Sequence, residues 1–107
     1  MAKIKILIID DEKPLADLYQ ERLGIEGYEA IASYNGDDGL KKIESEKPHL
    51  ILLDLMMPGI SGEEVLASLK SNSKTKDLPV IVLTALSGPK DGVFQIQSFL
   101  NHHHHYS

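Results

Sequence analysis

The stretch Ile51-Leu52-Leu53-Asp54-Leu55-Met56-Met57-Pro58-Gly59 decides how this chain is read. An apolar run closed by one carboxylate and then a Pro-Gly turn is the pattern of a parallel strand, buried on both faces, that ends at a polar edge. Asp54 is the residue that needs a reason. Aspartate is also favoured wherever a strand gives way to a turn, so this position alone leaves a turn residue and a chemical group equally open.

Upstream, Lys3-Ile4-Lys5-Ile6-Leu7-Ile8-Ile9 is rich in β-branched residues and predicts a central strand, followed at once by Asp10-Asp11-Glu12. From Pro14 the spacing turns helical. Leu15, Leu18, Tyr19, Arg22 and Leu23 fall on one face, with Asp11 or Glu12 at the start and Gly24 and Gly27 near the stop. Tyr28 to Ala32 alternates weakly and predicts a short strand nearer the sheet edge. Asn35-Gly36-Asp37-Asp38-Gly39 predicts a turn whose two acids are solvated. A helix from Leu40 to Glu46 follows, with Leu40 and Ile43 inward, and Lys47-Pro48 closes it because the residue before a proline leaves the helical region. The strand His49 to Leu53 then leads into Asp54, with His49 an ordinary strand-edge residue.

Downstream, Met56 and Met57 are expected to pack beneath the loop. Ser61-Gly62-Glu63-Glu64 predicts a helix N-terminus in which Ser61 caps, Glu64 is its capping-box partner and both acids complement the dipole. Val65, Leu66 and Leu69 form its buried face, and Ser71 to Lys74 end it. Leu78 to Leu83 reads as a fourth strand that stops at Thr84-Ala85. No internal repeat is present. Strands alternating with helices predict an α/β parallel sheet covered on both faces.

A chain of 107 residues fits one domain. With 11 Lys+Arg against 16 Asp+Glu, the formal charge of −5 argues against nucleic acid or an anionic membrane as partner. The absence of cysteine excludes disulfides, thiolate catalysis and thiolate metal sites. The first strand is too short for a membrane span or signal core, which leaves a cytoplasmic location expected.

In a parallel sheet the residues just past the strand ends gather at one edge, where open α/β sheets bind ligands. Asp10 and Asp11 arrive there from the first strand, Asp54 from the third and Thr84 from the fourth. Crowded carboxylates resist ionising together unless a cation joins them. Mg²⁺ suits such a set, since it takes one or two carboxylates and keeps positions for water and phosphate oxygens. Asp54 is placed to take a phosphoryl group as an aspartyl phosphate.

With Asp10-Asp11, Asp54 in its Leu-Asp-Leu-Met-Met-Pro-Gly setting, Ser61-Gly62, and Thr84 thirty residues after Asp54, the chain resembles the receiver domain of two-component response regulators. The resemblance runs from Ile4 to about Ser87. It implies a flavodoxin-like doubly wound sheet of strand order 2-1-3-4 and a phosphoryl-accepting signalling switch. Asp54 would be the phosphoacceptor, supplied by a sensor histidine kinase, a phosphotransfer protein or a small phosphodonor. Mg²⁺ would be bound by Asp11, Asp54 and the Met56 backbone carbonyl, and by Asp10 through water. Thr84 would be the switch residue, its hydroxyl turning to the new phosphoryl group. Such a domain is a phosphoacceptor that assists its own phosphoryl transfer and hydrolysis; it is not an enzyme in the ordinary sense.

The family's fifth strand, with its Lys-Pro pair, has no counterpart after Thr84, so the fifth strand and last helix are expected to be missing or replaced. Residues 1–87 thus read as a receiver-like core and 88–107 as an atypical tail. Periodicity leaves helix and strand both open for Val93 to Leu100; the family's helix here and Ser87 as a cap favour helix. His102 to His105 read more simply as a purification-tag remnant than as metal ligands. An uncovered fourth-strand edge invites pairing, which makes a homodimer through that edge or the tail an expectation. Three rivals remain. A Mg²⁺-dependent aspartyl-phosphate phosphohydrolase would carry a second acid where Met56 stands. A contact-only receiver-like module, or a truncated or engineered receiver, would lack the family lysine, as this chain does.

Overall fold

The computed structural model describes residues 3–57 and 59–83. Seven elements alternate along them: β1 (Lys5–Ile9), α1 (Lys13–Ile25), β2 (Glu29–Ser33), α2 (Gly36–Glu46), β3 (Leu50–Asp54), α3 (Gly62–Ser71) and β4 (Val80–Leu83). The strands form one sheet of order β2-β1-β3-β4 with every pairing parallel. This is the doubly wound order expected from the sequence. The fourth-strand edge has no further strand partner among the described residues.

The continuous apolar runs are explained by burial on both faces. Ile6, Ile8, Leu50 and Leu52 join Ala16, Tyr19 and Leu23 of α1 in one cluster. Their neighbours Leu7, Ile9, Ile51 and Leu53 join Ile43 of α2 with Val65 and Leu69 of α3 on the other side. Because side chains alternate across a strand, polar residues at either set of positions would open one face to water. Each large side chain buried this way contributes about 1.5–3 kcal/mol.

The inward face of α1 differs from expectation. Ala16, Tyr19 and Leu23 are buried, whereas Leu18 is 38% exposed and Arg22 lies at the surface. Tyr19 and Leu23 are buried and Leu15 packs against the same cluster as expected, so Leu18 and Arg22 are the departures from the predicted face and Ala16 the addition. Beyond the helix, Gly27 at φ +99° supplies the left-handed turn that ends it.

The Asn35 to Gly39 stretch is also not a turn but the first turn of α2. Asn35 is its N-cap and its side chain accepts the Asp38 N–H at 2.8 Å. At the far end Lys47 leaves the helix for the left-handed region at φ 50°, not for the extended one. Ser61 caps α3 as expected, its hydroxyl accepting the Glu64 N–H at 3.2 Å, with Glu63 and Glu64 in the first turn. Met57 packs under the loop, but Met56 is 74% exposed and packs under nothing. His49 is at the strand edge, where its Nδ1 accepts the Lys5 N–H. No helix among the described residues is long and apolar enough to cross a membrane.

Candidate functional site

The sheet's order reverses between β1 and β3, since β1 crosses over to β2 on one side while β3 leads to β4 on the other. Loops leaving two such strands diverge and open a crevice at their C-terminal ends. Register then decides what stands in it. Ile9 pairs with Leu53, so the next residues, Asp10 and Asp54, come side by side. Asp10, Asp11 and Asp54 each offer a carboxylate oxygen within 4.8 Å of the others. Leu83 pairs with Asp54, and Thr84, which follows it, lies outside the described residues, as does the tail from Gly88.

The three acids are not equivalent. Asp10 is 1% exposed, while Asp11 and Asp54 are half-buried and face the opening. The backbone N–H of Asp10 donates to the Ser33 carbonyl at 3.0 Å, and its Oδ1 accepts the Glu12 N–H at 3.0 Å. Burial pushes the Asp10 carboxyl up to about 7, against the pull of the Glu12 N–H, and hydrogen bonding and repulsion from Asp54 add to the rise. Among the described residues no lysine or arginine is ion-paired with any of the three.

That donor set fits a hard divalent cation. It supplies carboxylate oxygens only, holds more negative charge than it can keep unpaired, and leaves two of its three members open to water. Asp54 also does what a turn residue does: its Oδ1 accepts the Met56 N–H at 2.9 Å and so sets the loop after β3. The turn role is thus met, and the same side chain keeps its place among the three carboxylates.

The start of α3 is pressed against that loop. A Cβ built at Gly62 would overlap the Asp54 carbonyl oxygen and Leu55 Cα. Only glycine permits the contact. On the other flank, Ser33 was not singled out from sequence although it is fully buried beside Asp10. Its hydroxyl donates to Asp38 Oδ2 at 2.7 Å, which holds the Asp38 carboxyl below its ordinary value, and Lys42 pairs with the same oxygen at 3.1 Å. Asp38 is thus a strut between β2 and α2 and not a solvated turn residue. A serine ending a strand, five residues before an acid in a helix's first turn, was the available signal.

The chain matches the response regulator receiver domain family over residues 6–101.

It belongs to that family.

Receiver structures share its fold. The response regulator protein TrrA from Thermotoga maritima, in complex with Mg²⁺-BeF, is 44% identical with a TM-score of 0.71, over 78% of this chain and 70% of that one. The N-terminal domain of a response regulator receiver protein from Methanoculleus marisnigri is 30% identical with a TM-score of 0.75, over 95% and 89%. Chemotaxis protein CheY4 of Vibrio cholerae, 20% identical with a TM-score of 0.81 over 91% and 98%, attests the fold alone. In this receiver the acidic pair and Asp54 stand at the sheet's switch point, and the side chain of Met56 is at the surface beside them.

Proposed function

We propose that this receiver is a Mg²⁺-dependent phosphoryl-accepting switch, with Asp54 as the acceptor and a sensor histidine kinase or phosphotransfer protein as the donor, acting in the cytoplasm. The observation that carries the reading is the meeting of Asp10, Asp11 and Asp54 within 4.8 Å at the C-terminal edge of a parallel sheet. A carboxylate oxygen of Asp54 forms the new bond to phosphorus as the donor's P–N bond breaks, and the freed imidazole nitrogen takes a proton. A small acyl phosphate serves the same way through its P–O bond. The domain acts as a stoichiometric acceptor that assists its own transfer and hydrolysis.

The residues suited to hold the cation are Asp11, Asp54 and the Met56 carbonyl, with Asp10 behind them through water. When bound, Mg²⁺ supplies charge neutralisation to the phosphoryl oxygens, which is what this reaction needs most from its surroundings. Asp10 keeps one carboxyl out of bulk water beneath the acceptor, and Asp54 is held at a fixed angle by the Met56 N–H. Thr84, directly after Leu83 of β4, supplies the switch hydroxyl. Adding about −1.5 to −2 charge at this edge then rearranges the loops around it and changes the surface offered to an output partner.

The test is incubation with Mg²⁺ and acetyl phosphate, read by intact mass, alongside Asp54→Asn. Asparagine is the right replacement because its side-chain oxygen still accepts the Met56 N–H. Labelling of the wild type that vanishes in Asp54→Asn supports the assignment. Labelling that survives the substitution moves the acceptor elsewhere, and no labelling of either protein favours a module that works by contact alone.

A further inference from the structure

We propose a second interaction site, remote from Asp54: a cleft between the C-terminal halves of α2 and α3 that takes an acidic amphipathic helix of a partner protein. The cleft has a volume of about 890 Å³ and lies at the opposite edge of the sheet from the three aspartates, where the strands begin. Its apolar part is offered by the half-buried Leu40 on α2 and Leu78 before β4, with Ile43 and Leu69 buried behind them. Lys47 and Lys74 stand at its rim, both exposed, and the exposed Glu44 of α2 also lines it, which leaves the margin net positive.

Charge decides the kind of occupant. The chain carries a net −5, yet six of its eleven basic residues lie on the two segments that build this cleft, 40–48 and 68–78, against three acidic ones. Some of these cations have other work: Lys42 pairs with Asp38, and Lys70 donates to the Lys76 carbonyl. Lys47 and Lys74 have no ion-pair partner among the described residues. Helix C-termini attract cations on their own account, which accounts for Lys47 as the cap of α2. It does not account for Lys74, which lies beyond the end of α3. A groove between two helices with an apolar floor and a cationic rim accepts an amphipathic helix, its leucine-like anchors down and its acids at the margins. An acidic partner is otherwise repelled by the rest of this molecule, so attraction confined to one edge also sets the direction of approach.

The experiment uses the whole chain, two synthetic helical peptides and nuclear magnetic resonance titration. Both peptides carry leucine at every third or fourth position; glutamate fills the remainder in one and lysine in the other. The glutamate peptide is expected to bind, with shifts centred on Leu40, Ile43, Leu69 and Leu78, and to bind less at higher salt. Charge reversal of both rim lysines, Lys47→Glu with Lys74→Glu, replaces two exposed attractions by repulsions and is expected to weaken it about tenfold. Unchanged urea stability of that variant keeps the loss assignable to the rim. Equal binding of both peptides, indifference to the double reversal, no binding of the glutamate peptide, or shifts centred on the aspartates would each overturn the proposal. So would concentration-dependent self-association lost in the double variant, since the occupant would then be a second copy of this chain.

Discussion

Replacing Asp10 by asparagine should stabilise the metal-free receiver at pH 8 and leave it nearly unchanged at pH 4. The cause is the proton that the folded state keeps. Between an ordinary 3.8 and about 7 the native Asp10 stays protonated while the unfolded chain has lost its proton. Over that window the folded state binds more protons than the unfolded one, so stability falls as pH rises. The contribution is therefore intact below about pH 4 and lost by pH 8. A carboxyl moved that far corresponds to at most about 4 kcal/mol, at about 1.4 kcal/mol per pH unit. Relaxation and water entry around a buried carboxyl lower this, and about half of it, near 2 kcal/mol, is the expected difference. Asparagine removes the titration while its amide still donates toward Asp54. Urea unfolding of both proteins at pH 4, 6 and 8 in chelator measures it, since every other titrating group is common to the pair. Mg²⁺ at pH 8 should add about 2.7 kcal/mol to the wild type at a hundredfold excess over Kd. A difference between the two proteins that stays constant from pH 4 to pH 8 would refute the reasoning.

Gly62→Ala forces a methyl onto the Asp54 and Leu55 backbone and should cost at least about 1–3 kcal/mol by urea unfolding; an unshifted midpoint would mean that α3 stands off the loop. Ser61→Ala removes the α3 cap and should cost about 1 kcal/mol, with Ser61→Asp restoring most of it. Asp11→Asn should weaken Mg²⁺ binding by an order of magnitude or more, read by calorimetry, with little loss of stability because Asp11 is half-exposed and the fold does not lean on it. An Asp11→Asn protein with wild-type affinity would remove it from the ligand set.

The elements that were legible in the sequence share one physical property: their pattern admits a single packing. Ile6 to Ile9 and Leu50 to Leu53 are apolar at every position, and only a strand covered on both faces satisfies that. The meeting of Asp10, Asp11 and Asp54 followed, because parallel strands carry their C-terminal residues to a common edge. What was not legible was whatever depended on a choice between equals. Ala16 joins the cluster under α1 while the larger Leu18 is 38% exposed, so position on the helix and not hydrophobicity decided between them. Asn35-Gly36 has the composition of a turn, and only the Asp38 N–H reaching Asn35 makes it a cap. Adjacent acids gave no hint that Asp10 would be sealed beneath the site while Asp11 stayed at its mouth. That division comes from Asp10 still being tied to the sheet through Ser33, one residue before the chain leaves it. The tail from Gly88 and Thr84, the proposed switch residue, lie outside the described residues.

Gly62 also sets how this domain can move. Where two elements meet through side chains, a small displacement of one is absorbed by rotamer changes in the other. Between the end of β3 and the start of α3 there is no such cushion, only main chain resting on main chain. An adjustment of the Asp54 loop therefore meets the first turn of α3 directly, and the other end of that helix forms one wall of the cleft. The two edges of the sheet thus stand one helix apart, and the near end of that helix is seated where a methyl group is missing.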